Sequence, residues 1–98
     1  MNVTDTRHEM LACVTALREA LRSETEPAQR SALVEATHRT IQRIRKQFKR
    51  SIDKRASRRF GFSINEREGI EQKLAEAMAE ALEQLGQAAR GAGIGSRQ

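Results

Sequence analysis

A dense run of basic side chains is the part of this sequence with the clearest chemical content. Between positions 39 and 59 the chain has ten basic residues and one acidic residue, Asp53, although the net charge of the whole chain is only +5. Guanidinium and ammonium groups at this density can neutralise the phosphates of a nucleic acid or bind an acidic protein surface. The ten are Arg39, Arg43, Arg45, Lys46, Lys49, Arg50, Lys54, Arg55, Arg58 and Arg59.

The spacing of these residues places half of them on one side of a helix. At about 100° per residue, five basic side chains fall within about 80° of one another, and we call this set the basic face. It consists of Arg39, Arg43, Lys46, Arg50 and Lys54. The opposite side of the same helix carries an apolar stripe of Ile41, Ile44, Phe48 and Ile52. With Arg58 at its end, the predicted contact set is Arg39, Arg43, Lys46, Arg50, Lys54 and Arg58.

Three interpretations of the basic face follow from its charge. It binds the backbone of DNA or RNA, where arginine forks grip phosphates and affinity carries little sequence information. In the second interpretation the basic face is solvated, or it is paired internally with an acidic third helix, whose carboxylates would reach Arg45, Lys49 or Arg55. Or it steers the chain to an acidic protein partner. The acidic residues in question are Glu66, Glu68, Glu71, Glu76, Glu80 and Glu83.

The residue types that carry out catalysis or bind metals are not assembled in the sequence. His8 and His38 are the only histidines, and neither has a second ligand at metal-binding spacing. Cys13 lies on an apolar face without the basic neighbours that activate a thiol. The glycines of the GAGIGS segment near the C-terminus follow no predicted strand, so they do not form a phosphate-binding loop. We therefore expect no catalytic residue, no metal and no cofactor.

The stretch RRFGFSI at positions 58–64 partly matches an RNA-recognition strand, in which exposed aromatic rings stack on bases. That fold needs four strands and a second aromatic motif, and the beginning of this chain has helical spacing and no aromatic residue. We interpret the stretch as a corner between two helices. Gly61 reverses the chain there, Ser63 caps the next helix, and Phe60 and Phe62 fill the corner.

Apolar spacing and capping residues predict three helices, over about 5–23, 27–59 and 64–85. Thr4 or Thr6 would cap the first, Pro27 suits the first turn of the second, and Ser63 or Asn65 opens a capping box for the third. Gly86 is placed to end the third helix, and we expect close approach of a neighbouring helix at Gly69. No segment alternates like a strand.

We therefore predict an all-α fold: a single domain over 1–86, with a long central helix in a helical-hairpin bundle, and a flexible glycine-rich tail over 87–98. If the first and third helices covered opposite halves of the second, apolar stripes would stay partly uncovered, and homodimerisation would cover them. The single cysteine, the absence of a secretory segment and the lack of a membrane-spanning run predict a cytoplasmic protein that does not bind a membrane.

Functionally, these observations favour a small non-enzymatic nucleic-acid-binding protein with an accessory or regulatory role. The basic face would contact phosphates, and no sequence preference is predicted. The alternative is a helical adaptor or inhibitor that binds an acidic surface of another protein, with apolar residues as anchors.

Overall fold

The computed structural model of the protein describes residues 2–56 and 63–93, without the side chains of residues 55 and 56. Within these segments the chain forms α1 (Val3–Ser23), α2 (Pro27–Ala56) and α3 (Ile64–Gly91), and no strand. The prediction of an all-α fold with three mutually packed helices is confirmed. The predicted end of the second helix at 59, residues 58–62 of the predicted corner and the last residues of the predicted tail, 94–98, lie outside the described residues.

Asn2, rather than a threonine, caps α1. Its side-chain carbonyl accepts a hydrogen bond from the backbone N–H of Asp5 at 2.8 Å, which satisfies one of the free donors of the first turn. The prediction of Thr4 or Thr6 as the cap is wrong because the helix begins earlier, at Val3. Thr6 instead lies on the buried face of α1, fully shielded from solvent.

A short loop over 24–26 reverses the chain between α1 and α2, and Pro27 is the first residue of α2. Arg30 links the helix ends at this end of the bundle through hydrogen bonds. Its guanidinium donates to the carbonyl oxygens of Leu21 and Glu24, at 3.4 and 2.6 Å, and to that of Ala92 at 3.2 Å. The C-terminal ends of α1 and α3 therefore both lie beside the beginning of α2, where a cation offsets the partial negative charge of helix ends.

A complete capping box begins α3. The Ser63 hydroxyl accepts from the backbone N–H of Glu66, and the Glu66 carboxylate accepts from the backbone N–H of Ser63, both at 3.1 Å. Of the two capping boxes proposed from the sequence, the structure uses the one that starts at Ser63.

The predicted roles of two glycines in α3 are wrong. Gly86 does not end the helix, which continues to Gly91 because Ala88 still lies on its buried face. Gly69 does not accommodate a close neighbour, since a Cβ added there would meet nothing within 4 Å. The segment 87–91, predicted as part of a flexible tail, is the last turn of α3.

The helices run up, down and up. Val3 of α1 and Ile70 of α3 both pack against the cluster that contains Phe48 and Ile52 near the end of α2, while the far ends of α1 and α3 meet Arg30 near its start. Hence α1 and α3 are parallel to each other and antiparallel to α2. A helix of 30 residues is about 45 Å long, which accounts for most of the 53 Å length of the molecule.

The main core lies along the centre line between the three helices. Leucine and other large apolar residues of α1 and the isoleucines of α2 pack against a surface of α3 that is rich in alanine, which lets the helices approach closely. Its buried members are Met10, Val14, Leu17, Leu21, Ile41, Ile44, Ala77, Ala81, Leu85 and Ala88. A smaller cluster of Phe48, Ile52 and Leu74 extends it toward the other end.

This packing corrects the predicted arrangement of α1 and α3. They do not cover opposite halves of α2 but lie side by side on the same face of it, and Arg7 of α1 pairs directly with Glu80 of α3. The apolar stripe of α2 is accordingly buried within one chain, with between 0 and 8% of each side chain exposed. The incomplete burial from which we predicted homodimerisation is therefore not found along this stripe.

None of the helices in the described segments has the length and apolar character needed to cross a membrane.

Candidate nucleic-acid interface

The amphipathic sequence of α2 determines where the basic face lies. Because Ile41, Ile44, Phe48 and Ile52 are buried against α1 and α3, the residues half a turn away must point outward. All five members of the basic face are exposed to solvent. They follow one another at intervals of three or four residues, so the helix holds their charges in a row of about 22 Å.

The side chains of the basic face line a shallow, open trough of about 440 Å³ along the outer surface of α2. Its walls follow the two rows of side chains that an α-helix presents at four-residue intervals. One row contains Arg39, Arg43 and Gln47, and the other contains Gln42, Lys46 and Arg50. Cations therefore stand on both walls, with neutral amide groups between them.

Two contacts of the basic face are formed within α2 itself. Arg39 pairs with Glu35, one turn earlier, at 3.0 Å, and both side chains remain more than 70% exposed. Arg43 donates to the hydroxyl of Thr40 at 3.4 Å. An exposed pair of this kind contributes only about 0 to 1 kcal/mol, so it competes weakly with a phosphate for the same guanidinium.

Two α3 carboxylates, those of Glu71 and Glu80, pair with arginines that do not belong to the basic face. Glu80 accepts two hydrogen bonds from the guanidinium of Arg7 in α1, at 2.7 and 2.8 Å. Arg67 of α3 bridges Glu71 on its own helix and Asp53 near the end of α2. Among the described side chains, no α3 carboxylate pairs with Arg45 or Lys49, which was the internal pairing considered from the sequence; the side chain of Arg55 is outside the description.

Hydrogen bonds hold two of these α3 carboxylates in the ionised form. The hydrogen bond from Arg7, more than its charge, lowers the pKa of Glu80, and the same contact raises the pKa of Arg7. The backbone N–H of Ser63 lowers the pKa of Glu66. Both carboxylates are thus charged at neutral pH and already engaged, one between helices and one in the helix cap.

Charge is distributed unequally among the three helices. From 27 to 54, α2 carries eight basic and two acidic side chains, whereas α3 carries three basic and six acidic ones, and α1 carries three of each. The outer faces of three helices packed around one core point in different directions. The side of the bundle formed by α2 is consequently the positive one, and an approaching polyanion is attracted to it first.

Arg58, the sixth predicted contact residue, lies outside the described residues, as do Arg59, Phe60, Gly61 and Phe62. The predicted corner and its role therefore stay predictions. The structure brings the remaining five predicted contact residues together on one surface, as described above.

A second basic group, at the end of the bundle, was missed from the sequence. Arg18, Arg22 and Arg30 surround a cavity of about 360 Å³ where the three helices meet. Arg18 donates to the carbonyl of Gln84 at 3.4 Å, and Arg22 lies 3.4 Å from Glu19. These side chains belong to separate parts of the sequence, so no local pattern reveals the group. Arg18 and Arg30 donate to carbonyl oxygens of neighbouring segments, which indicates a role in holding the helices together, whereas the partner of Arg22 lies on its own helix.

The other residues considered for chemistry are dispersed. His8 is exposed near the start of α1 and His38 is partly buried in α2. Burial, followed by the nearby charge of Glu9, raises the pKa of the Cys13 thiol, which disfavours the reactive thiolate. Within the described residues, no three histidine, cysteine, aspartate or glutamate side chains cluster in a way that could hold a metal ion.

Comparison with family models, with curated proteins and with solved structures finds no match for this chain. A proposal for its function therefore rests on its own residues.

Proposed function

We propose that this protein is a small non-enzymatic nucleic-acid-binding protein, with an accessory or regulatory role, that contacts DNA or RNA phosphates through the basic face. One observation carries the proposal. All five cationic side chains lie exposed on the side of α2 that faces away from the core, and among the described residues Arg39, Arg43, Lys46 and Arg50 form no ion pair with a carboxylate of α1 or α3.

The energetic basis of the proposed binding is counterion release. Each phosphate that a lysine or arginine neutralises frees condensed counterions, which gives affinity that depends on salt and little on sequence. Three of the five cations are arginines, and their planar guanidinium groups bind phosphate oxygens in pairs. The trough between the two rows of side chains suits a phosphodiester backbone, since cations on both walls can reach it.

The alternative, an acidic protein partner, needs apolar anchors at the centre of its interface. In the described part of the chain the large apolar side chain that stands exposed is Ile64, at the start of α3 and not on the basic face. The basic face thus offers charge without an anchor, and this favours a polyanion over a folded protein as its ligand.

The salt dependence of binding tests the proposal. If all five cations neutralise phosphates, the logarithm of the affinity for duplex DNA falls with the logarithm of salt concentration with a slope of about −4 to −5. Fluorescence anisotropy of a labelled duplex, measured at several salt concentrations, gives this slope. Absence of binding at low salt, or an affinity that does not change with salt, contradicts the proposal.

A pair of matched variants tests the location of the site. Replacing Arg43, Lys46 and Arg50 by Gln removes three charges from the basic face, and we expect affinity to fall about 100-fold or more at low salt and the slope to drop by about 3. The control replaces Arg22, Lys73 and Arg90, which are exposed on α1 and α3, by Gln. Equal losses in the two variants would show that net charge, not the basic face, determines binding. Circular dichroism verifies that both remain helical.

Affinity capture from the host separates the two partner classes. Loss of the captured material on nuclease treatment supports a nucleic acid, whereas a discrete protein that survives nuclease and depends on Arg43, Lys46 and Arg50 supports the alternative. Homodimerisation also stays a prediction, which sedimentation over a series of concentrations tests. Contact with phosphates through one basic face does not require it.

A further inference from the structure

We propose that the basic face is built for double-stranded rather than single-stranded nucleic acid. This inference rests on the proposed function and specifies its ligand. Three features of the structure carry it: the kind of side chains on the face, their regular placement along one helix, and the number of charges.

The basic face lacks the groups that single-stranded sites use. Such sites combine cations with aromatic rings on which successive bases stack, and each stacked base strengthens binding by roughly ten-fold. The one phenylalanine of the described segments, Phe48, is 5% exposed and packs with Ile52 and Leu74 in the core. The imidazole of His38 on α2 is partly buried and does not line the trough. The residues beside the cations are Gln42 and Gln47, which offer amide groups and no ring.

The placement of the cations suits a ligand whose phosphates are already held in rows. Burial of the apolar stripe holds α2 in place, so its five cations form a preorganised array along about 22 Å. A duplex presents phosphates at fixed positions and loses little conformational freedom on binding. A single strand must be straightened along the helix, and without stacking nothing offsets that loss of entropy.

The number of charges on the basic face determines how much more tightly a duplex should bind than a single strand. Each neutralised phosphate releases about 0.9 counterions from duplex DNA and about 0.7 from a single strand. Five contacts therefore release about one more ion from a duplex, which corresponds to about a ten-fold difference in affinity near 0.1 M salt. Stacking of a single base would be enough to cancel this preference, so the absence of aromatic rings on the face is decisive.

The test compares one labelled DNA strand of about 20 nucleotides, chosen without self-complementarity, with the same strand annealed to its complement. Anisotropy titrations of the full chain at several salt concentrations give both affinities and both slopes. We expect the duplex to bind about ten-fold more tightly near 0.1 M salt, with slopes of about −4.5 for the duplex and −3.5 for the single strand. Equal or tighter binding of the single strand overturns the inference and leaves the proposed function standing. Binding to neither ligand overturns both.

A double variant tests whether bases stack on the two phenylalanines that follow α2 in the sequence. Replacing Phe60 and Phe62 by Leu keeps apolar character but removes the rings. We expect the affinities of this variant for the duplex and for the single strand both to stay within about two-fold of the original, because the contacts are to phosphates. A ten-fold loss of single-strand affinity, with helicity retained, would show that bases stack on these rings and would overturn the inference.

Discussion

At the scale of single residues, Thr6 carries a hydroxyl group that is fully buried in the core without a hydrogen-bond partner among the described residues. A buried polar group of this kind costs free energy because it has given up its contacts with water. Thr6→Val keeps the shape of the side chain and removes the hydroxyl, and we expect it to raise the free energy of unfolding by about 1 kcal/mol.

Urea unfolding of the Thr6→Val variant measures this change. Thr15→Val is a suitable control, because Thr15 is exposed and its hydroxyl donates to the carbonyl of Leu11. The control should change stability by less than about 0.5 kcal/mol. A destabilised Thr6→Val variant would mean that the hydroxyl has a partner in solution.

The pair between Arg7 and Glu80 makes stability depend on pH. The pKa of Glu80 in the folded protein lies below its ordinary value of 4.5, mainly because of the hydrogen bond from Arg7. Its contribution is therefore complete above pH 4.5, declines as the pH falls toward the lowered pKa, and is lost below it. Glu80→Gln should lower the midpoint of thermal unfolding at pH 7 and leave it nearly unchanged at the acidic end.

The quantity to measure is the difference in melting temperature between the original chain and Glu80→Gln from pH 7 to pH 2.5 or so. Glu76→Gln is the control, since Glu76 is exposed and its partner is Gln72 on the same helix. A difference that does not change with pH would show that ionisation of Glu80 is not what stabilises the contact between α1 and α3.

At the scale of the helices, two adjacent capping boxes look equivalent in the sequence, and only one of them begins α3. Ser63 occupies the cap position and satisfies a backbone donor of the first turn, while Asn65 already lies within the helix. Ser63→Ala should lower the free energy of unfolding by about 1 kcal/mol. Asn65→Ala should have little effect or be slightly stabilising, because alanine has the higher helix propensity. Urea unfolding of both variants tests the assignment, which a reversed order of effects would contradict.

At the scale of the whole molecule, close packing of α3 against its neighbours depends on small side chains. Ala81 is fully buried in the main core, whereas Ala79, two positions away, is exposed. Ala81→Leu should lower the free energy of unfolding by about 1 to 3 kcal/mol, because the larger side chain forces the helices apart. Ala79→Leu should remain within about 0.5 kcal/mol of the original chain. Thermal and urea unfolding measure both, and equal effects would contradict the observed orientation of α3.

The separation of charge is also a property of the whole molecule. The excess of basic residues on α2 and of acidic residues on α3 can be counted from the sequence. Their separation in space follows from the bundle, since each helix turns its apolar face inward and presents its charges in its own direction. This separation is the reason that no described α3 carboxylate pairs with Arg43, Lys46 or Arg50.

Local patterns in the amino-acid sequence are enough to predict which segments become helices and which side of each helix is buried. These properties are local: a period of about 3.6 residues, a cap such as Ser63 and a proline such as Pro27 act within one or two turns. The composition of the basic face was predicted for the same reason, because Arg39 and Arg50 share a side of the helix in any tertiary arrangement. Local signals were weaker at the end of α3, where burial of Ala88 outweighed the tendency of Gly86 to end a helix.

Which neighbour covers each apolar stripe depends on how the three helices pack together. Hydrophobic burial is not directional, so the stripe of α2 shows that it must be covered but not that α1 and α3 cover it side by side. The sequence also left open which charged residues pair with each other. Arg7 and Glu80 are 73 positions apart, and they meet because α1 and α3 are parallel neighbours. The basic face can be read from the sequence, but the lack of an ion pair between Arg43, Lys46 or Arg50 and a described carboxylate of α1 or α3 is a consequence of the way the three helices pack.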